Sequence, residues 1–206
     1  MTNPTRTRRG SLLTAATMAL ISGLVLAGCA NSTPESATPP SSNQASDSEF
    51  FSTHDLAGLD AAQVIERLDT MPVADRPSDL LASVQPDALV LTDDQGREAQ
   101  LPMPEDEVYV SVAPYREQTH DCYFHSLTTC IGELGNADVQ VVLTDADGEV
   151  LINETRETFD NGFVGLWVPR DIEGTLSIAH EGQEGTVAIT TLNEDDPTCI
   201  TTLRVT

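Results

Sequence analysis

The stretch Asp138-Val139-Gln140-Val141-Val142-Leu143-Thr144-Asp145-Ala146-Asp147-Gly148-Glu149 decides the fold. A short run of β-forming residues reaches Thr144 and stops at a turn of Asp and Gly. The unit then repeats. Glu149 to Thr158 precedes Asp160-Asn161-Gly162, and Phe163 to Val168 ends at Pro169. Further strands are predicted over about 175–180, 186–191 and 199–205. Short strands separated by turn residues at regular spacing predict a β-sandwich. Asp145-x-Asp147-Gly148 is a turn and not a calcium loop, because its glycine falls too early for an EF-hand.

Upstream the same period of two persists. Ala88 to Thr92 and Arg97 to Leu101 flank Asp93-Asp94-Gln95-Gly96, a hairpin signal, and Glu107 to Val112 alternates like a strand. Before Asp87 the pattern is helical. Asp60-Ala61-Ala62-Gln63 forms a capping box, and Val64, Ile65 and Leu68 follow at helical spacing. Met71-Pro72 stops that helix. Ser78-Asp79-Leu80-Leu81 suggests a second short helix, ended before Pro86. The expected fold class is therefore α+β. A small helical N-terminal region over residues 50–86, with an apolar face available for a homodimer contact, precedes a mostly antiparallel β-sandwich-like domain over 87–206.

The N-terminus carries a targeting signal. Arg6, Arg8 and Arg9 form a positive n-region, Leu12 to Leu26 an apolar h-region, and Leu26-Ala27-Gly28-Cys29 follows. The last four residues resemble the bacterial lipoprotein box, in which the cysteine sulfur takes a diacylglycerol and becomes the first mature residue. Residues 1–28 read as a lipoprotein signal peptide and Cys29 as the lipidation site. Residues 29–49 read as a flexible Ser/Thr/Pro tether with nothing to bury. The expected location is outside the cytoplasm, anchored to the lipid bilayer at the membrane's outer surface or in the periplasm. Arg8-Arg9 leaves the general and twin-arginine export routes both open.

Charge excludes several partners. The formal net charge is −23, with 33 acidic residues against ten arginines and no lysine. Removal of residues 1–28 takes three of those arginines and no acid, leaving seven bases against 33 acids and a charge of −26. Nucleic-acid binding draws its affinity from neutralised phosphates, so this chain is not built for it. Anionic lipid would repel it as well, which leaves the acyl chain as the membrane link.

The chemistry lies in the remaining thiols. His120-Asp121-Cys122-Tyr123-Phe124-His125-Ser126-Leu127-Thr128-Thr129-Cys130 places two cysteines and two histidines in one segment without a clean period. Cys199 follows in Pro197-Thr198-Cys199-Ile200, at the start of the last predicted strand. Three is an odd number of thiols for an oxidising compartment, which implies a free thiol, an intermolecular bridge or a metal ligand. Thiolates beside imidazoles favour a soft ion, Cu(I), with zinc as the lesser alternative. Two thiols can also give up two electrons to form a disulfide. The same set, Cys122, Cys130 and Cys199 with His120 and His125, could thus reduce Cu(II) and hold the product. Two other readings compete. One is a non-catalytic β-sandwich binding or adhesion lipoprotein with one structural disulfide. The other is a thiol–disulfide oxidoreductase, which no Cys-x-x-Cys motif supports. His54 and His180 stand apart and are not assigned to the site.

The sequence also resembles a known family. Val110-Ser111-Val112-Ala113-Pro114-Tyr115, the segment Thr119 to Leu134, Asn161 to Asp171, and Asp196-Pro197-Thr198-Cys199-Ile200-Thr201-Thr202-Leu203 are similar to the periplasmic copper-binding protein family CueP, as is Leu68 to Pro77. The resemblance spans roughly Phe50 to the end. It implies a cell-envelope copper protein serving copper tolerance that reduces Cu(II) through its cysteines and passes copper to an exported superoxide dismutase. The family's three functional cysteines correspond to Cys122, Cys130 and Cys199. It also implies an N-terminal dimerisation region and a C-terminal β-domain. The acylated, tethered N-terminus departs from the soluble periplasmic form associated with the family.

Overall fold

The computed structural model describes residues 42–206. The expected signal peptide, the expected lipidation site Cys29 and the expected tether up to residue 41 lie outside them. Helices α1 (Ser42–Thr53) and α2 (Ala61–Asp69) and a short 3-10 turn (Val73–Asp75) precede eleven strands. These are β1 (Leu80–Val84), β2 (Ala88–Asp93), β3 (Glu98–Pro102), β4 (Glu107–Val112), β5 (His125–Ser126), β6 (Asp138–Asp145), β7 (Val150–Glu157), β8 (Val164–Pro169), β9 (Glu173–His180), β10 (Gln183–Thr190) and β11 (Cys199–Ile200). The chain is α+β, as the sequence predicts. No helix among the described residues is long and apolar enough to cross a membrane.

The strands form three sheets, ordered β3-β2-β1-β5, β10-β9-β6-β7 and β11-β4-β8. Pairing is antiparallel except for β11 on β4, where Cys199 lies opposite Ser111. The three-stranded sheet is buried on both faces. Val108, Val110 and Val112 of β4, with Val164, Leu166 and Val168 of β8, pack against Val139, Val141, Leu143, Leu176 and Ile178 of the β6–β9 sheet. Tyr109 and Trp167, on the opposite face by the alternation of a strand, join a second core. That core is made by α2 and by Leu80, Ala82, Val84, Leu89 and Leu91 of the first sheet.

Helix α2 forms as its sequence predicts. The Asp60 carboxylate accepts from the Gln63 backbone N–H at 2.9 Å, and the Gln63 side chain accepts from the Asp60 N–H at 3.0 Å. Val64, Ile65 and Leu68 are all buried.

Three expectations change. Residues 78–81 do not form a helix, because Leu80 belongs to β1. There Leu80, Ala82 and Val84 point into the core while Leu81 is 54 % exposed. A period of two over five residues, paired along its length with β2, overrides a weak local helical preference. Helix α1 starts inside the stretch assigned to the tether, so helical structure begins before residue 50. Phe50 anchors it, buried to 2 % exposure, with the Arg97 guanidinium 5.9 Å from its ring centre. The last strand is only two residues long. Beyond Ile200 the chain is irregular, held by a parallel bridge between Tyr115 and Arg204 and by backbone hydrogen bonds between Thr206 and Glu184 of β10.

Candidate metal centre

Backbone hydrogen bonds bring the two distant cysteine segments together. Strand β11 lies on β4 through Ser111 N–H to Thr198 O (2.8 Å) and Ala113 N–H to Ile200 O (2.9 Å). The Tyr123 carbonyl accepts from both Thr198 and Cys199 N–H at 3.0 Å, which ties the His/Cys loop to the same edge. Thr198 fastens a third element. Its hydroxyl donates to the Val84 carbonyl at 2.5 Å and accepts from the His125 N–H at 3.0 Å. His125 pairs with Val84 in the first sheet. The turn that follows is closed by Cys130 N–H to Ser126 O at 3.1 Å. On the other side of the loop, the Glu133 carboxylate accepts three successive backbone N–H groups, from Arg116, Glu117 and Gln118, at 2.9–3.0 Å. This fixes the approach to His120.

All five predicted residues converge. The Sγ atoms of Cys122 and Cys130 lie 3.4 Å apart, and Cys199 Sγ lies 3.8 Å from His125 Nδ1. The three cysteines are free thiols. His120, Cys122 and Cys130 present donor atoms within 4.8 Å of one another, and so do His125, Cys130 and Cys199. The Phe163 ring packs against both imidazoles, with centroids 4.5 Å from His125 and 6.1 Å from His120. Depth differs across the group. His125 and Cys199 are buried, Cys130 nearly so, and Cys122 and His120 are half-buried. His54 and His180 lie elsewhere. His54 stacks on Phe50, and His180 Nδ1 bonds the Asp138 carbonyl at 2.8 Å.

The sequence reading missed the residues behind these candidate ligands. Asp69, the last residue of α2, is fully buried. Its Oδ1 accepts from His125 Nε2 at 3.0 Å and from Asn161 Nδ2 at 2.8 Å, and its Oδ2 from the Tyr109 hydroxyl at 2.8 Å. A carboxylate at a helix C-terminus opposes the helix dipole. That was the one signal in the sequence that Asp69 serves something other than its helix. With Nε2 bonded to Asp69, Nδ1 faces the thiols. A carboxylate behind the non-ligating nitrogen is the usual partner of a metal-binding histidine. Arg76 approaches from the chain after α2. Its Nη1 donates to the Cys130 carbonyl at 2.8 Å, while its Nε and Nη2 are buried without a partner.

Charge follows this geometry. Burial pushes the Asp69 carboxyl up, but His125, Tyr109 and Asn161 together hold it below the usual carboxylate range. Burial depresses His125, and its bonds to Asp69 and Cys130 outweigh burial and raise it. Tyr109 is pushed well up by burial and by the Asp69 charge. Among the thiols, hydrogen bonds from Cys122 and Cys199 hold Cys130 far below an ordinary thiol against the cost of burial, with His125 adding to the effect. Cys122, as a donor to Cys130, is pushed up to about 11. Cys199 is raised by the same two sulfurs. One thiolate held between two thiols and an imidazole suits a soft cation. The His120 Nε2 atom, buried with no hydrogen-bond partner, is a further donor suited to such an ion.

The comparisons with known proteins point the same way. A family model described as periplasmic copper-binding protein CueP matches residues 63–204. Among solved structures, the crystal structure of S.CueP is similar to this chain at 36 % sequence identity and a TM-score of 0.73. The match covers 82 % of this chain and 100 % of that one. No curated protein matches.

Proposed function

The chain belongs to the CueP family of periplasmic copper-binding proteins, and from that premise we propose that Cys122, Cys130 and Cys199, with His125 and His120, are its Cu(I) ligands. The observation that carries this reading is the convergence of three free thiols and two imidazoles from segments 69 residues apart, Cys130 to Cys199. Cu(I) is favoured over zinc by the donor set, which is dominated by soft sulfur in a largely buried pocket. The role is copper tolerance in the cell envelope.

The thiols also act as reductant. Cys122 and Cys130, 3.4 Å apart, are close enough to join with little movement. Two Cu(II) ions each take one electron, the two sulfurs form one disulfide, and their protons pass to water. Two Cu(I) ions result. Cys199 and His125 stay outside that disulfide and keep soft donors available to the product. Transfer of copper to an exported superoxide dismutase would complete the family role. An acylated Cys29 would keep the protein on the membrane's outer surface, residues 50–86 would supply a dimerisation region, and residues 87–206 would hold the metal.

An anaerobic titration of the reduced protein with Cu(II) tests this function. A chromogenic chelator follows Cu(I), and free thiols are counted in parallel. Cu(I) appearing as two thiols vanish is the expected result. Three thiols unchanged, with no Cu(I) and no change in melting temperature, would sink the reading. A competition between Cu(I) and Zn(II) for the same thiols separates the two metals.

A further inference from the structure

We infer that the fully reduced chain holds two copper ions at positions that share the Cys130 sulfur: an outer position at His120, Cys122 and Cys130, and an inner one at His125, Cys130 and Cys199. This rests on the copper-binding reading above and deepens it.

The donors outnumber what one ion uses. A cuprous ion is satisfied by about two or three soft donors, and each trio here already offers two sulfurs and one imidazole nitrogen. Within each trio the donor atoms lie no more than 4.8 Å apart. Cys130 is the only residue common to both. A thiolate sulfur has lone pairs enough to bridge two metal ions.

The two positions differ in access. The inner trio is closed, because His125 is fully buried and Cys199 is 3 % exposed. The outer trio is less enclosed, with Cys122 and His120 half-buried, and its His120 lines a cavity of about 240 Å³ together with Gln118, Thr119, Ile131, Gly132 and Glu133. The His120 Nε2 atom lacks a hydrogen-bond partner although it is buried. A polar nitrogen in that state is costly unless something meets it, and a cation at the outer position would. The inner histidine is satisfied on its far side, where Asp69 takes its Nε2. The two imidazoles are thus prepared differently: one is locked from behind, and the other stands at the mouth of the cavity. Copper entering from solvent meets the outer trio first. Exchange across the Cys130 sulfur then carries it to the inner one without release.

The test is a Cu(I) titration of the reduced mature chain under anaerobic conditions, against a competing Cu(I) chelator, with protein-bound copper counted by elemental analysis. The parent is expected to retain two ions. Cys122→Ser and His120→Ala should each retain one, and Cys199→Ser should also retain one. Cys130→Ser should fall below one, because it removes the shared donor. X-ray absorption of the doubly loaded parent should show a copper neighbour around each copper. A parent that retains a single ion would overturn the two-position arrangement while leaving copper binding intact. Two ions retained by Cys130→Ser would overturn the sharing. A parent that retains none would remove both this inference and the function it rests on. The parent count needs no variant to fold, and melting curves identify any variant that does not.

Discussion

His125 Nε2 lies 3.0 Å from Asp69 Oδ1, and neither side chain has any exposed surface. Fifty-six residues separate the two in sequence. Asp69→Asn keeps the size of the side chain and removes its charge. Losing a carboxylate behind a ligating histidine typically costs about 10–100-fold in metal affinity. Cu(I) affinity is expected to fall by about that much, measured by chelator competition, while circular dichroism stays unchanged. Nitrogen NMR of His125 should show a mixture of ring tautomers in place of the single Nε2–H form. An unchanged affinity and tautomer would mean that Asp69 serves packing alone.

The same pair sets a pH window for apo-protein stability. Asp69 is depressed from its ordinary 3.8, so its contribution is present above that value and is lost as pH falls through the folded value. His125 is raised from 6.5, so its contribution is present below 6.5 and is lost as pH rises through the higher folded value. Melting temperature should therefore peak between these limits, weakly acidic, and fall on both sides. Asp69→Asn should flatten the profile. Copper acts in the opposite direction on the alkaline side, because it takes the Nδ1 lone pair and displaces a proton. The stabilisation by Cu(I) should grow as pH rises from 5 to 8.

Tyr109→Phe tests the carboxylate from its other oxygen. The hydroxyl donates to Asp69 Oδ2 at 2.8 Å inside the core. Its removal leaves a buried acceptor unpartnered, at a cost of about 1–3 kcal/mol. For a domain of this size that is roughly 2–12 °C in melting temperature. Calorimetry reads it directly. A shift of less than a degree would show that water replaces the phenol.

Arg76 tests the role of charge. Its guanidinium reaches the Cys130 carbonyl at 2.8 Å and leaves two buried nitrogens unpartnered. Copper bound by two thiolates carries net negative charge, which a neighbouring guanidinium offsets. Arg76→Gln is expected to weaken Cu(I) binding by about tenfold, the effect of roughly 1.4 kcal/mol. Alkylation of Cys130 at neutral pH should slow, because its thiolate loses a cationic neighbour. Equal alkylation rates in parent and variant would exclude an electrostatic role.

Gly165 offers a test remote from any ligand. A Cβ built there would collide with the Tyr109 ring and hydroxyl. Gly165→Ala should therefore displace the phenol from Asp69, lower the melting temperature, and weaken Cu(I) binding less than Asp69→Asn does. A fully stable variant with unchanged copper affinity would show that the tyrosine can move aside at no cost.

Much of this was legible in the sequence because local signals and tertiary packing agree. The capping box at Asp60, the hairpin at Asp93 and the alternation of Val108, Val110 and Val112 each predicted the element that forms. The candidate ligands, which the fold brings together, were legible because thiols and imidazoles are rare and chemically distinctive. Leu80 to Val84 was misread because five residues hold too little periodic information, and the choice was made by pairing with β2 and β5. Asp69, signalled only by its place against the helix dipole, and Arg76, not signalled at all, were obscure for a different reason. Acidic and basic residues near a helix end are ordinary on a surface, and only the fold reveals that these two lie behind the thiols.

Gly132 and Gly162 meet backbone to backbone beneath the site. A Cβ on Gly132 would come within 2.7 Å of the Gly162 carbonyl oxygen, and Gly162 itself sits at φ 79°. The loop after Cys130 and the loop before Phe163 can close on each other only while both positions lack a side chain. Part of the capacity to hold metal is thus encoded where there is no donor, no charge and no hydrogen-bonding side chain. Mutational tolerance around this centre will not follow chemical type. A swap between soft ligands could survive where the addition of one methyl group, two residues from Cys130, does not.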